Sequence, residues 1–281
     1  MPGVVVGVDE SAHSQPALRW AAAYGDRREL PVTAVMAWNF VKQHHLEEQA
    51  DFDVLYDADN ATRVLEEQVA RTLGDRDRVQ CVVVEDDAAH ALLQAGEDAD
   101  LLVVGARGMG GFQGLLLGSV SRSVLHKATC PVALIRDDLD RSSRPVVVGV
   151  NGDDSSLRAL RWAVEYASVE GPAVQATYVW DWPPLSAAGL YGKVPERAEL
   201  VADADRFLAR QIAAAELGEH DVVVEATTVE GRPAAGLLEA GTSAAMIVVG
   251  ARGHGPLARV VLGSVSDQVA RHATCPVVVV P

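Results

Sequence analysis

Short apolar runs alternate with longer segments of helical periodicity along this chain. The run VVVGV at 4–8 is almost wholly apolar, which is typical of a strand covered on both faces of a parallel sheet. After Ser14, apolar residues return at positions 17, 18, 21 and 22. This spacing predicts a helix with Ser14 as its N-cap.

The same alternation continues to the last residues. The first half predicts further strands at 32–38, 79–84, 101–104 and 131–135, with helices at 47–73, at 88–95 and from Ser119 onward. The second half predicts strands at 146–150, 174–180, 222–229, 247–249 and 277–280, with helices at 156–170, 196–216, 234–240 and 264–272. Strands separated by helices imply right-handed crossovers and a parallel sheet, so the expected fold class is α/β.

The two halves are copies of one unit. GVDESAHSQPALRWA at 7–21 matches GVNGDDSSLRALRWA at 149–163, an offset of 142 (149 − 7). ATCPV at 128–132 recurs at 273–277, an offset of 145 (273 − 128). A period of this length is the size of a domain rather than of a solenoid repeat. The chain is therefore a tandem duplication.

A polar stretch separates the two copies. DDLDRSSRP at 137–145 is rich in charge and ends in proline, which is typical of a linker. We therefore predict a first domain at 1–137, a linker at 138–145 and a second domain at 146–281.

Each copy carries a glycine loop with the spacing GxxG-x9-G[ST], at 105–119 and at 250–264. The loop follows a strand and enters a helix at its serine, the place where open α/β sheets bind ligands. Glycine lets backbone amides approach an anion, and the helix N-terminus offers unpaired N–H groups to a phosphate. Ser121 and Ser266 are expected to add hydroxyl donors. The spacing favours a phosphate site in each half over a simple turn.

Composition narrows the classes of protein. The chain has 281 residues, 49% of them hydrophobic and 22% charged, which is ordinary for globular domains. A formal net charge of −15 argues against non-specific binding to nucleic acids or anionic membranes. The sequence shows no basic leader and no apolar run of membrane-spanning length. Three widely spaced cysteines favour a reducing, cytoplasmic setting.

Together these motifs resemble the ATP-binding branch of the universal stress protein family. VVVGVDES, the paired GARG…LGSVS loops and ATCPV carry the resemblance, which covers nearly the whole chain twice. It implies two open five-stranded parallel sheets with helices on both faces, Rossmann-like and similar to the adenine nucleotide alpha hydrolases. It also implies that the last strands, 132–135 and 277–280, pair the domains as an intrachain pseudo-dimer.

The resemblance assigns binding residues by position. Gly7 and Asp9 would lie at the nucleoside end, Ala37 would offer backbone groups to adenine, and the loop would surround ribose and phosphates. The first-half site is then Gly7, Asp9, Ala37, Val104, Gly105, Arg107, Gly108, Gly118, Ser119, Val120 and Ser121. The second-half site is Gly149, Asn151, Val179, Val249, Gly250, Arg252, Gly253, Gly263, Ser264, Val265 and Ser266. The expected ligand is ATP with Mg²⁺, and no metal ligands or catalytic residues are assigned.

The second half departs from this pattern at two positions. Asn151 stands where the first half has an aspartate, and Asp153 stands where it has Ser11. A carboxylate of Asp153 that pointed into the pocket would repel phosphate or help to hold Mg²⁺. We therefore expect weaker or altered binding in the second half.

Three functions fit the residues. The first is an ATP-binding regulatory protein of the stress response, read by an unknown protein partner and possible as a homodimer. The second is a weak ATPase, but the lysines, Lys42, Lys127 and Lys193, all lie outside the glycine loops, and no GxxxxGK[ST] motif occurs. The third is a scaffold whose loops bind another adenine ligand, such as AMP or cyclic AMP, or bind nothing.

Overall fold

The computed structural model describes residues 2–38, 58–74, 79–108, 117–182, 196–251 and 262–281. The chain divides into two compact units, Met1–Leu139 and Asp140–Pro281. The division falls within the predicted linker at 138–145.

Strands and helices alternate through the described part of the first unit. The strands are β1 (Val4–Gly7), β2 (Val32–Trp38), β3 (Val79–Glu85), β4 (Leu101–Gly105) and β5 (Val132–Ile135). The helices are α1 (Ser14–Arg28), α2 (Ala58–Leu73), α3 (Ala88–Ala95) and α4 (Ser119–Lys127). The strands lie in the order β3-β2-β1-β4-β5, and every neighbouring pair is parallel.

The second unit repeats this arrangement. Its strands are β6 (Val146–Gly149), β7 (Val174–Trp180), β8 (Val224–Glu230), β9 (Met246–Gly250) and β10 (Val277–Val280). Its helices are α5 (Asp154–Glu170), α6 (Arg197–Ala214), α7 (Pro233–Gly241) and α8 (Ser264–His272). The strand order β8-β7-β6-β9-β10 is again parallel throughout.

Helices cover both faces of each sheet. In the first unit α1 packs on β1 and β4 beside α2, whereas α3 packs on β1 and β2 beside α4. In the second unit α5 neighbours α6, and α7 neighbours α8. The central strands are consequently buried, with Val4, Val5 and Val6 at most 1% exposed. Each buried valine stabilises the fold by about 1.5–3 kcal/mol. The predicted α/β class, with an open five-stranded parallel sheet in each half, is confirmed.

Two predicted helix starts need correction. His13, not Ser14, is the N-cap of α1. The buried Ser14 hydroxyl instead donates to the carbonyl of Asp9 (2.8 Å), because it folds back on the preceding loop. Helix α5 starts at Asp154 rather than at 156, because the side chain of Asp153 caps it. The prediction of a helix at 47–73 is met at Ala58–Leu73, and its first part, 47–57, lies outside the described residues.

Candidate functional site

The candidate site of each unit lies where the strand order reverses direction. The chain leaves β1 for β2 on one side and later returns to β4 on the other, so the loops after β1 and β4 separate. The crevice outside the carboxyl ends of such strands is where open α/β sheets bind ligands. The loops that follow Gly7 and Gly105 border it in the first unit, and those that follow Gly149 and Gly250 border it in the second.

Two hydrogen bonds close the base of the glycine loop in the first unit. The amide of Gly118 donates to the carbonyl of Ala106 (2.8 Å). The buried hydroxyl of Ser121 donates to the carbonyl of Gly105 (2.7 Å). These bonds fix the N-terminus of α4 against the end of β4.

The second unit repeats both bonds. The amide of Gly263 donates to the carbonyl of Ala251 (2.8 Å), and the Ser266 hydroxyl donates to the carbonyl of Gly250 (2.5 Å). The sequence assigned the hydroxyls of Ser121 and Ser266 to phosphate. In the structure their protons are engaged by the protein backbone, so these serines shape the loop.

The first glycine of each motif has a packing role. A Cβ on Gly105 would lie 2.7 Å from the carbonyl oxygen of His13, just before α1. A Cβ on Gly250 would lie 2.7 Å from the carbonyl carbon of Ser155, in the first turn of α5. Real Cβ atoms do not come this close to backbone atoms. Glycine therefore lets the N-terminal end of α1 or α5 reach the end of its strand.

Two further predicted glycines are also packed against side chains. A Cβ on Gly7 would lie 2.9 Å from Leu92 Cδ1, on α3. A Cβ on Gly108 would lie 2.6 Å from Asp9 Oδ2. Gly108 thus admits the Asp9 carboxylate, which brings the loop after β1 against the loop after β4.

The helix that follows each loop has an open N-terminus. Gly118 is the N-cap of α4 and Gly263 is the N-cap of α8, and neither helix has a side-chain cap. Amides of a first helical turn have no acceptor within the helix, and they carry the positive end of its dipole. Ser119 and Ser264 are exposed at the first helical position. This arrangement is suited to an anion.

The acidic position of the first unit is well ordered by hydrogen bonds. Asp9 Oδ1 accepts the amide of Ser11 (3.1 Å) and its hydroxyl (2.5 Å). Together with the contact to Gly108, these bonds hold the carboxylate at the mouth of the crevice.

The second unit arranges the corresponding residues differently. The side-chain amide of Asn151 donates to Asp153 Oδ2 (2.8 Å). Asp153 Oδ1 accepts the amide of Ser156 (2.7 Å) and the hydroxyl of Ser155 (3.0 Å) as the cap of α5. The Asp153 carboxylate is therefore committed to the helix cap, and the condition on which we expected it to repel phosphate is not met.

Backbone groups of β2 extend past the end of β1. β1 pairs with β2 as far as Gly7, opposite Val35, and the amide of Val8 still donates to the carbonyl of Val35 (2.9 Å). Backbone polar groups of a strand point alternately to its two neighbours. The N–H and C=O of Ala37, two residues on, therefore point to the β1 side beyond its last paired residue.

Val179 has the same position in the second unit. β6 pairs with β7 up to Gly149, opposite Thr177, and the amide of Val150 donates to the carbonyl of Thr177 (2.9 Å). Val179 then directs its own N–H and C=O over the end of β6. A flat ligand with a donor and an acceptor on one edge could bond to both groups.

A cavity of about 170 Å³ occupies this crevice in the second unit. It brings together nine residues predicted from the sequence: Gly149, Asn151, Val179, Val249, Gly250, Gly263, Ser264, Val265 and Ser266. The other two, Arg252 and Gly253, lie outside the described residues. In the first unit the structure places Arg107 in an exposed position, Val104 in the core and Val120 at the half-buried start of α4.

Several cavity residues were missed by sequence reasoning. The remaining walls are Val150, Ser156, Thr177, Tyr178, Pro233 and Leu237. Internal comparison offered a signal for three of them. Val150 matches Val8 and Ser156 matches Ser14 at an offset of 142. Leu237 matches Leu92 at an offset of 145. Nothing in the sequence singled out Thr177 or Tyr178.

Two further kinds of feature were looked for in the described ranges. There, no group of three or more His, Cys, Asp or Glu side chains is arranged to hold a metal ion. Within the same ranges, no helix has both the length and the apolar character that crossing a bilayer requires.

The model of the Universal stress protein family matches the chain twice, at residues 2–136 and 142–281. The chain belongs to the universal stress protein family. A universal stress protein of Mycolicibacterium smegmatis is 34% identical over 296 residues, which cover 99% of this chain and 96% of that relative. One from Mycobacterium tuberculosis (strain H37Rv) is 31% identical over 295 residues, covering 99% and 95%. This universal stress protein therefore matches these relatives over nearly their whole length.

A solved structure supports the fold. The crystal structure of a universal stress protein from Archaeoglobus fulgidus superposes with a TM-score of 0.68 at 21% identity, covering 99% of this chain and 97% of that one.

Proposed function

We propose that this universal stress protein binds ATP in each unit and acts as a nucleotide-responsive regulator of the stress response, not as an enzyme. One observation carries the proposal. Each unit presents a helix N-terminus without a side-chain cap, entered through Gly118 or Gly263, at the switch point of its parallel sheet.

The phosphates would lie against this helix N-terminus. Its first-turn amides and dipole attract anions, and the exposed hydroxyls of Ser119 and Ser264 would add donors. The loop bases are already closed by hydrogen bonds within the protein. Phosphate binding would therefore need little reorganisation at the base of the loop, which favours affinity.

The adenine would lie over the ends of β1 and β6. The N–H and C=O of Ala37 or Val179 would bond to the edge of the base, as strand backbone does for a neighbouring strand. In the second unit the walls beside this position are apolar, with Val179, Leu237 and Val249 on the cavity. An apolar slot with a few fixed polar groups is the usual character of a small-molecule site.

A binding role is preferred to catalysis because the glycine loops contain no lysine that could clamp the transferred phosphate. We also propose that a protein partner in the cytoplasm recognises the nucleotide-bound state. AMP and cyclic AMP carry the same base and an anionic phosphate. They are therefore the rivals that the experiment must separate from ATP.

Isothermal titration of the nucleotide-stripped full chain with Mg-ATP, AMP and cyclic AMP tests the proposal. Ser119→Asp combined with Ser264→Asp should abolish ATP binding, because each carboxylate would lie where we propose that the phosphate binds. Folding should persist, since Asp is favourable in a first helical turn. Ser243→Asp, in an exposed turn, controls for added charge.

The outcomes separate the alternatives. If AMP or cyclic AMP bound more tightly than ATP, that nucleotide would be the ligand in place of ATP. Phosphate release well above one turnover per minute, lost in the double variant, would establish an ATPase. Undiminished ATP binding by the double variant would refute the location of the site.

A further inference from the structure

An aromatic side chain borders the cavity of the second unit at a position where the first unit has methionine. Tyr178 is a wall of the cavity and is half-buried. Met36 stands at the equivalent position of the first unit, at an offset of 142 (178 − 36), and is only 4% exposed. The duplicated fold therefore does not require an aromatic ring at this position.

Neighbouring residues hold the Tyr178 ring in place. The ring of Phe207, on α6, lies with its centroid 4.5 Å from that of Tyr178. Phe207 also reaches the loop after β6, since a Cβ on Gly152 would lie 2.7 Å from its Cζ atom. Gly152 has a φ of 84°, which favours glycine for a second reason. Glu10 stands at this position in the first unit, again at an offset of 142 (152 − 10). The second unit has thus changed both the ring and the loop beside its support.

The ring lies on the opposite face of β7 from the aliphatic wall of the cavity. A Cβ on Gly236, in α7, would lie 2.9 Å from Val179 Cγ2, so the side chain of Val179 points to α7. Successive side chains of a strand point to opposite faces, and Tyr178 accordingly points to α6. A base bonded to the N–H and C=O of Val179 would therefore have Leu237 on one side and the Tyr178 ring on the other.

We propose that Tyr178, held by Phe207, is a base-recognition residue of the second unit, where its ring contacts the planar base of the nucleotide. This inference rests on the proposed nucleotide binding. It assigns the contact to the ring rather than to the hydroxyl, because the ring is the part that Phe207 positions. A flat aromatic base offers a face or an edge to such a ring, whereas a phosphate chain offers neither. Tyr178 should therefore contribute to the binding of ATP and not to that of inorganic tripolyphosphate.

Isothermal titration of the full chain with Mg-ATP tests the proposal, and displacement of ATP by tripolyphosphate measures the affinity without a base. The parent protein for all variants carries Ser119→Asp, which blocks the proposed site of the first unit, so that one ATP binds per chain. Tyr178→Met introduces the residue of the first unit. It should weaken ATP binding about threefold to tenfold, as expected for the loss of one aromatic contact, and leave the affinity for tripolyphosphate unchanged.

Two further variants complete this series. Tyr178→Phe keeps the ring and should bind ATP as the parent does. Tyr166→Met removes a tyrosine that stacks on Trp162 in α5 and does not line the described cavity, and it is the matched control.

Phe207→Leu tests the support of the ring. It should weaken ATP binding while Tyr178 is present and have no further effect in combination with Tyr178→Met, because Phe207 acts through that ring. A merely structural role of Phe207 would weaken binding equally in both backgrounds and would overturn its assignment as a positioning residue.

The outcomes separate this inference from the proposed function. Equal ATP binding by the parent and by Tyr178→Met would overturn the inference and leave nucleotide binding intact. Equal weakening in Tyr178→Phe and Tyr178→Met would assign recognition to the hydroxyl and overturn the ring contact. Equal weakening of ATP and tripolyphosphate binding would show a general disturbance of the site, which also overturns the inference. Absence of ATP binding to the native chain would instead overturn the proposed function.

Discussion

Replacing Gly105 by alanine separates packing from ligand binding within the glycine motif. The new Cβ would lie 2.7 Å from the carbonyl oxygen of His13, a backbone atom that cannot rotate away. At Gly118, by contrast, the nearest atoms of the described residues to a new Cβ are 3.6 Å away, an ordinary van der Waals distance. The two glycines belong to one motif, yet only the first should be required by the fold.

The magnitude follows from this contact. Overpacking of a well-packed site costs about 1–3 kcal/mol. Gly105 does not have a positive φ, so alanine also reduces the entropy of the unfolded chain, which offsets about 0.4–1 kcal/mol. The middles of these two ranges leave a loss of about 1.3 kcal/mol of unfolding free energy for Gly105→Ala in its unit. Gly118→Ala should change it by no more than about 0.5 kcal/mol, as is usual where no new contact is strained.

Urea unfolding followed by far-UV circular dichroism measures both values. The unfolding free energies should be compared only where a variant and the native chain have equal m-values. A changed m-value would mean that the two domains no longer unfold in the same way, since two domains need not unfold in one transition. Gly250→Ala is the matched variant in the second unit, where the Cβ would lie 2.7 Å from the carbonyl carbon of Ser155. A neutral Gly105→Ala, or a Gly118→Ala that is as destabilising, would refute the assignment of the first glycine to packing.

Three further predictions concern single side chains. Ser121→Ala should cost about 1–2 kcal/mol in urea unfolding by leaving the buried Gly105 carbonyl without its partner, whereas the exposed Ser119→Ala should cost less than about 0.5 kcal/mol. Burial raises the pKa of the Cys81 and Cys130 thiols, and Cys130 is the more buried. A disulfide reagent should therefore label Cys81 first, with Cys81→Ser as control, and equal rates would contradict this order. Hydrogen bonds from Trp182 and then Arg197 lower the pKa of Glu230 below 4.5. The stability that they contribute is present above that value and lost as pH falls through the lowered pKa, so acid titration of Trp182 fluorescence should show a step that Glu230→Gln lacks.

The sequence predicts the fold well because the same pattern of strands and helices occurs in both halves. Short runs rich in apolar residues give most of the strands, and the same spacing in both halves excludes accidental patterns. The ends of the helices are predicted less well, since they depend on which hydroxyl or carboxylate reaches a free backbone amide. Ser14 follows the N-cap rule in composition, yet its hydroxyl turns to the carbonyl of Asp9 and His13 becomes the cap.

The candidate site is predicted only in part, for a physical reason. The spacing of the motif shows where the loop leaves the strand and enters the helix. It does not show that the start of α1 passes within contact of Gly105, because that approach joins segments about ninety residues apart. The role of Asp153 was equally hidden, since only the three-dimensional path of the loop after β6 makes it a cap.

Some residues of the glycine motif are required by the fold, and this limits where the two units can differ. The base of each loop is held to the sheet by a glycine and a serine, which are Gly105 and Ser121 in the first unit and Gly250 and Ser266 in the second. A change at any of these positions should lower stability even where it leaves binding unaltered. The residues before the third helix of each unit, Asp87 and Arg232, lie outside the core and differ by a full reversal of charge, although Asp87 also caps α3. Divergence between the units should therefore appear at such exposed positions rather than at the base of the glycine loop. Asp87→Arg should lower the free energy of unfolding in urea by about 0.5–2 kcal/mol, because it removes the cap of α3. Arg232→Asp should not lower it, because Arg232 makes no side-chain cap hydrogen bond to α7. Equal losses for the two variants would show that the cap contributes no stability.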